Sequence, residues 1–436
     1  MFRAVTDYIK KIDFHHILIS LKSRNFRLYF GGMCVSLVGT WIQQIAMSWL
    51  VYKLTGSLFL LAMVTFMSQI PILLITPFVS VFVDRIDKRK ILLFTQSFSM
   101  FQALLLALLT FSGTIAVWHI LSLSLLLGCI NALDNPTRQA FYPGLIPRSH
   151  LGNAIALNST VINGSRLVGP AIGGILIGLA GESWCFLLNG ISYIGVISAL
   201  LLMRLPQPTP QNNRQNVLAD LTEGFIYVSG SIPLRSLLLL MSVVSFFGLP
   251  LMTFIPAYVK DILGGDSAML GYLLSCTGIG SLLAALLLAA RRSVPGLSKV
   301  ISISACCLGL CLLQISFITT PWIAAILCII TGFTIITAVA SINTLLQTLS
   351  DEDKRGRVMG YLAMAFTGIT PLGSLALGAL EKYTGLPSII FVSGICCLSG
   401  ALLFEYFRPL IHKHAHPIYI RKGFVQEATA RVPNER

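Results

Sequence analysis

The sequence predicts an all-α membrane protein that crosses the bilayer twelve times, as two six-helix halves. Apolar runs of about 20 to 27 residues recur along the chain. At 1.5 Å per residue each is long enough to cross roughly 30 Å of hydrocarbon. Only 11% of the 436 residues are charged and 55% are apolar, where soluble domains carry roughly 25% charged residues. The basic residues, moreover, keep to one set of loops. With a mean hydropathy of +0.81, such a chain could not cover its own surface in water.

The spans fall at 26–50, 58–82, 91–112, 115–140, 153–180, 184–204, 236–258, 268–290, 299–319, 322–349, 357–380 and 387–407. An even number puts both termini on one side. Of 31 basic residues, three lie on the far side (Lys53, Lys260 and Lys382) and one, Arg166, lies inside a span. The other 27 sit in the tails, in loops on the termini side or at their margins. The positive-inside rule then places both termini in the cytoplasm, at a bacterial inner membrane. A formal charge of +14 would suggest nucleic acid in a soluble protein. Here it is the orientation signal and a contact for anionic headgroups, so the bilayer is the expected partner and nucleic acid is not.

Residues 1–25 carry Lys10, Lys11, Lys22 and Arg24 around short apolar stretches, which reads as a cytoplasmic surface segment and not as a removable signal peptide. The first six-helix half follows at 26–204. A polar linker at 205–235 opens with Pro206, Pro208 and Pro210, and Val217 to Val228 beside Asp220 and Glu223 has the apolar spacing of a short amphipathic surface helix. The second half spans 236–407, and a cytoplasmic tail occupies 408–436. All ten cysteines fall in apolar spans with no CxxC, so they read as small packing residues. His412, His414 and His416 read as ordinary tail residues, and neither a metal nor a cofactor is expected.

The halves echo each other. Asn135 leads through a basic loop to Gly169-Pro170-x-x-Gly173-Gly174, and Asn343 leads through Lys354-Arg355-Gly356-Arg357 to Pro371-x-Gly373. Parallel six-span repeats are a transporter plan.

Between the second and third spans, Ser80-Val81-Phe82-Val83-Asp84-Arg85-Ile86-Asp87-Lys88-Arg89-Lys90 packs two acids and four bases into seven positions. Topology alone does not require this. The residues suit an ionic latch in which Asp84 caps a helix N-terminus of the other half while the bases pair with a nearby acid. The segment resembles the signature loop of the major facilitator superfamily, with Ser80 and Asp87 in the places of its two glycines. Its Asp-Arg-x-Asp-basic-basic form is similar to the branch holding the enterobactin exporter and related macrolide and drug effluxers. Ser165-x-x-x-Gly169-Pro170-x-x-Gly173-Gly174 likewise resembles the superfamily's antiporter motif, with serine for its first glycine. Asp134-Asn135-Pro136-x-Arg138, Gln347 and Arg355-Gly356-Arg357 extend the likeness over nearly the whole chain.

That resemblance implies the major facilitator fold. It also makes Asp84, Arg85, Lys88, Arg89 and Asp134 a conformational latch, with Asp134 as the acid that completes it rather than a proton carrier. On physical grounds, Ser165, Gly169, Gly173 and Gly174 let a neighbouring helix approach closely, and Pro170 removes a backbone donor and bends its helix. Arg166, about 20 Å along its span, is either a static contact between helices or, as we prefer, a charge facing the substrate or its coupling ion. Gln43, Gln44, Gln69, Gln102, Asn158, Asn163 and Gln347 either line a polar cavity with Trp41, Trp49 and Phe66 or bond helix to helix.

No G-x-x-x-x-G-K-[ST], HExxH or nucleophile elbow occurs, so no enzyme is expected and an ion or solute gradient is the expected energy source. The expectation is a monomeric secondary transporter that exports a small amphipathic molecule, a siderophore or drug-like compound, in exchange for protons. Uptake, lysophospholipid movement or a non-transporting receptor are the alternatives.

Overall fold

The computed structural model describes residues 19–83, 86–204, 217–291 and 294–422. Twelve helices among them are long and apolar enough to span a membrane. In chain order they are α1 (Arg24–Thr55), α2 (Leu58–Val83), α3 (Lys88–Phe111), α4 (Val117–Phe141), α5 (Leu151–Ala180) and α6 (Glu182–Leu202). The second set is α7 (Ile232–Ile262), α8 (Ser267–Ala290), α9 (Leu297–Ile315), α10 (Pro321–Leu349), α11 (Arg355–Thr384) and α12 (Leu386–Arg421). Helices are required here because hydrocarbon offers the backbone no other partner.

Each half repeats one packing scheme. In the first, α1 packs on α5 and α6, α2 on α4, and α3 on α4 and α6. In the second, α7 packs on α11 and α12, α8 on α10, and α9 on α10 and α12. The pairings match when six is added to each number, which gives the sequence echo a structural counterpart. α7 and α11 are interrupted by π-turns at Val244–Gly248, Tyr258–Ile262 and Met364–Gly368, features that often mark functional positions.

Small residues set the closest crossings. A methyl group on Gly280 of α8 would collide with the Ile329 carbonyl of α10, and one on Gly332 of α10 with the Thr277 carbonyl of α8. Such close backbone approach replaces hydrophobic driving force inside a bilayer.

The helix over Val217–Gly230 lies on the termini side and, with the end of α12, clamps the α10–α11 loop. Tyr227 Oη donates to Asp351 Oδ2 at 3.0 Å and Arg421 Nη2 donates to Asp351 Oδ1 at 2.9 Å. Lys422 Nζ donates to the carbonyls of Thr348 and Ser350, each at 2.7 Å, filling acceptors left open at the end of α10. Glu223 pairs with Arg357 at 2.6 Å, and Lys354 stands over the Tyr227 ring. The last span expected to end at 407 in fact continues as helix to Arg421, because this clamp gives the extension something to hold. The hydrogen bond from Tyr227, with Arg421 behind it, holds the Asp351 carboxyl below its ordinary value.

Two outcomes follow from this packing. Gly280→Leu should lower the thermal midpoint and folded yield, by about 1–3 kcal/mol of overpacking, whereas Gly31→Ala, with open space around it, should be neutral or slightly stabilising. Equal behaviour of the two in a melting assay would refute the crossing argument. A depressed carboxyl contributes stability above its unfolded value and loses it only as pH falls through the folded one. The clamp should therefore persist through the ordinary carboxylate range and weaken only below it, while Asp351→Asn should raise hydrogen exchange across 217–230 at neutral pH.

Candidate functional site

The site grows from α5. Pro170 has no N–H, so the carbonyl of Arg166 loses the donor that a regular helix would supply. Around it, small residues bring α5 against two neighbours at once. A methyl group on Gly169 would collide with Cβ of Trp41, and one on Gly173 would stand 2.5 Å from Cγ2 of Ile45, so both glycines face α1. A methyl on Gly174 would stand 2.5 Å from the Ser267 carbonyl and 2.8 Å from Cα of Gly271, so this glycine faces α8 across the boundary between the halves. Ser165 is buried beside them. Ser275 Oγ donates to the Leu167 carbonyl at 2.9 Å, and Gly278 packs on the backbone of Arg166 and Leu167.

The second half places its echo in the equivalent position. Gly373 of α11 lies on the Phe246 carbonyl, inside the α7 π-turn. Across the boundary, Gly378 approaches the Leu58 carbonyl of α2 and Gly368 the Leu73 side chain. Two seams, α5 with α8 and α2 with α11, thus join the halves.

At the end away from the termini the halves are also tied directly. Tyr52 Oη of α1 donates to Asp261 Oδ2 of α7, and Lys260 Nζ lies 5.5 Å from the Tyr52 ring centroid. Lys53 pairs with Glu182 at 3.0 Å within the first half. Toward the termini side, polar residues are accessible instead: Ser159 and Asn163 on α5, and Asn343, Thr344 and Gln347 on α10. Positions 159, 163 and 166 share one helical face, so this polar track leads inward to Arg166.

Arg166 is half-buried at the middle of α5 and its guanidinium lies 5.3 Å from the Trp41 ring centroid. A cation over an indole face is favourable, more so out of water. No carboxylate among the described residues pairs with it. Gln44, one turn along α1 from Trp41, is exposed; Gln69 of α2 and Asn158 of α5 are half-buried; Gln347 donates to Asn343 Oδ1 at 3.0 Å. Asn163 donates to the Ser159 carbonyl of its own helix at 2.8 Å.

Gln43 departs from the cavity expectation. It is sealed inside the first half, donating to Gln102 Oε1 at 3.1 Å and accepting from Asn189 Nδ2 at 2.8 Å. Gln102 donates on to the Leu123 carbonyl. These two glutamines take the other course open to them and bond helix to helix, as buried amides must.

Of the latch residues, Asp84 and Arg85 lie outside the described residues. Asp134 accepts from Thr95 Oγ1 at 2.7 Å and Gln96 Nε2 at 2.8 Å and pairs with Arg138, so these described partners all lie on α3 and α4. Arg89 Nη2 donates to the Leu201 carbonyl at the end of α6, and Asp87 caps α3 by accepting from the Arg89 amide. Lys88 opens α3. Sequence reasoning missed Tyr52, Asp261 and Asp351. The one available signal was an acid beside Lys260 on a side otherwise poor in charge.

Two six-helix bundles joined along two seams, tied together at one end and carrying a cation at mid-span beside one seam, are the architecture of a multi-pass membrane transporter. The chain belongs to the transmembrane secretion effector family of major facilitator (MFS) transporters, which it matches over residues 17–422. It is 26% identical over 387 residues to the staphyloferrin A transporter of Staphylococcus aureus, covering 87% of this chain and 95% of that protein. It is 25% identical over 358 residues to the multidrug efflux pump Tap of Mycolicibacterium fortuitum, covering 80% and 87%. A POT family transporter, solved with a thioalcohol-conjugated peptide, shares the fold with a TM-score of 0.72 at 13% identity, over 89% of this chain and 96% of that one. The protein is therefore a secondary transporter of the siderophore and drug efflux branch, not an enzyme.

The Tyr52–Asp261 bond involves a charged acceptor, a type worth about 1.5–3 kcal/mol. Tyr52→Phe should therefore favour opening of that end by about tenfold or more. Labelling of Ser267→Cys, buried there in the closed state, by an impermeant maleimide reads the change; unaltered labelling would remove the lock from the account.

Proposed function

We propose that the protein exports a small amphipathic molecule, a siderophore or drug-like compound, from the cytoplasm by alternating access, with protons as the counter-ion. The termini side is the cytoplasmic side in this reading, because 27 of 31 basic residues gather there. The observation that carries it is the asymmetry of the seams. The halves are tied together at the far end by Tyr52 and Asp261, while toward the cytoplasmic end α5 and α10 carry accessible polar side chains. This is the state that loads an exporter.

Rocking about the glycine seams alternates access to the mid-membrane site. The efflux activity named for the Mycolicibacterium relative supports the direction. Asp134, a buried acid of the first half, is committed to Thr95, Gln96 and Arg138. Its role is therefore better read as holding α3 and α4 in register.

Everted membrane vesicles energised with an acid interior should accumulate at least one dye from a panel of anionic, neutral and cationic (ethidium) fluorescent amphiphiles, and collapsing the proton gradient should release it. Accumulation in right-side-out vesicles instead would make the protein an importer.

A further inference from the structure

We propose that the molecule carried is an organic anion, held through one anionic group by Arg166 while its aromatic or apolar body lies against Trp41. The inference rests on the transport reading above and adds the chemistry of the cargo.

Four observations lead to it. Arg166 stands at the middle of α5, on the seam where Gly278 of α8 meets its backbone. On the same helical face, toward the cytoplasmic end, stand the accessible polar residues Ser159 and Asn163. Its contact is the Trp41 ring and not an acid. Acids of the spans that other residues engage lie elsewhere, among them Asp134, paired with Arg138 about two turns from the cytoplasmic end of α4, and Glu182 and Asp261 at the far end.

A guanidinium stays protonated throughout the accessible pH range. An empty site at this depth thus carries one positive charge that no carboxylate among the described residues neutralises, and in a low-dielectric surround that charge favours an anion. The planar fork suits a carboxylate or another bidentate oxyanion. Trp41 holds the fork in place when the site is empty and offers a flat apolar face to a bound aromatic group. The cytoplasmic track of Ser159, Asn163, Asn343, Thr344 and Gln347 contains no acid that would repel such a molecule.

The charge also has a consequence for energetics. A site loaded with a monoanion is neutral, and the empty site returns carrying its positive charge. Each cycle then moves one negative charge outward, so an inside-negative membrane potential drives export in addition to any proton exchanged.

Three probes sharing one aromatic body, 2-naphthoate, 2-naphthalenemethanol and 2-naphthylmethylamine, separate charge from shape. With the full-length protein in nanodiscs, thermal-shift titration should show naphthoate binding at least about tenfold more tightly than either companion. Arg166→Gln should erase that preference while leaving folded protein and equal weak binding of acid and alcohol; Arg166→Lys should keep part of it. A wild-type protein that prefers the amine or ranks the three alike overturns the proposal, and so does a folded Arg166→Gln that still prefers naphthoate. In proteoliposomes, a potassium diffusion potential, negative on the cytoplasmic face, should speed naphthoate efflux about fivefold, and potential-independent flux overturns the charge-movement argument. If naphthoate binds with this preference but energised cells take it up, export fails and the anion site stands; if ethidium is exported while naphthoate is ignored, the reverse holds.

Discussion

Everything in this structure depends on how closely α5 can approach α1 and α8. Lipid tails are as apolar as leucine, so helices in a bilayer gain little by hiding apolar surface from one another. Contact must come from backbones brought near enough for dispersion and weak polar contacts to accumulate. Gly169 and Gly173 do this toward α1, and Gly174 with Gly271 does it toward α8. One helix thereby belongs to the first half and to the boundary with the second. The position of Arg166 is set by that double commitment.

The two interior arginines show what position does to the same side chain. Arg138 is locked to Asp134, with Thr95 and Gln96 completing the carboxylate's partners. Its charge is spent within the first half, as a buried pair requires. Arg166 lies against the Trp41 ring, pairs with no carboxylate among the described residues, and has its backbone against Gly278 of the second half. A fixed pair serves cohesion; the charge of Arg166 is the one our proposal assigns to the cargo.

The spans, the central linker helix and the repeat were legible in the sequence because each rests on periodicity or composition. The site was legible only as residue types. Gln43 and Gln44 are neighbours in sequence with opposite fates, one sealed among Gln102 and Asn189 and the other exposed. One residue turns the helix by about 100 degrees, and the rotation of α1 is set by glycines on a different helix. The far-end lock was illegible for another reason. Asp261 follows Lys260 at the end of a span, where a charge reads as an ordinary loop residue, and only the fold brings Tyr52 across to it.

The clamp around Asp351 changes what the connection between the halves is. A polar linker rich in proline would read as slack rope, long enough to permit motion and without influence on it. Its helix is instead fastened through Tyr227 and Glu223 to the loop and first turn that join α10 to α11, with the end of α12 fastened on the opposite side by Arg421 and Lys422. The linker therefore behaves as a strut bolted to one bundle. A change at Asp351 would then be felt at once by the linker helix and by the end of α12, although the two are far apart in sequence.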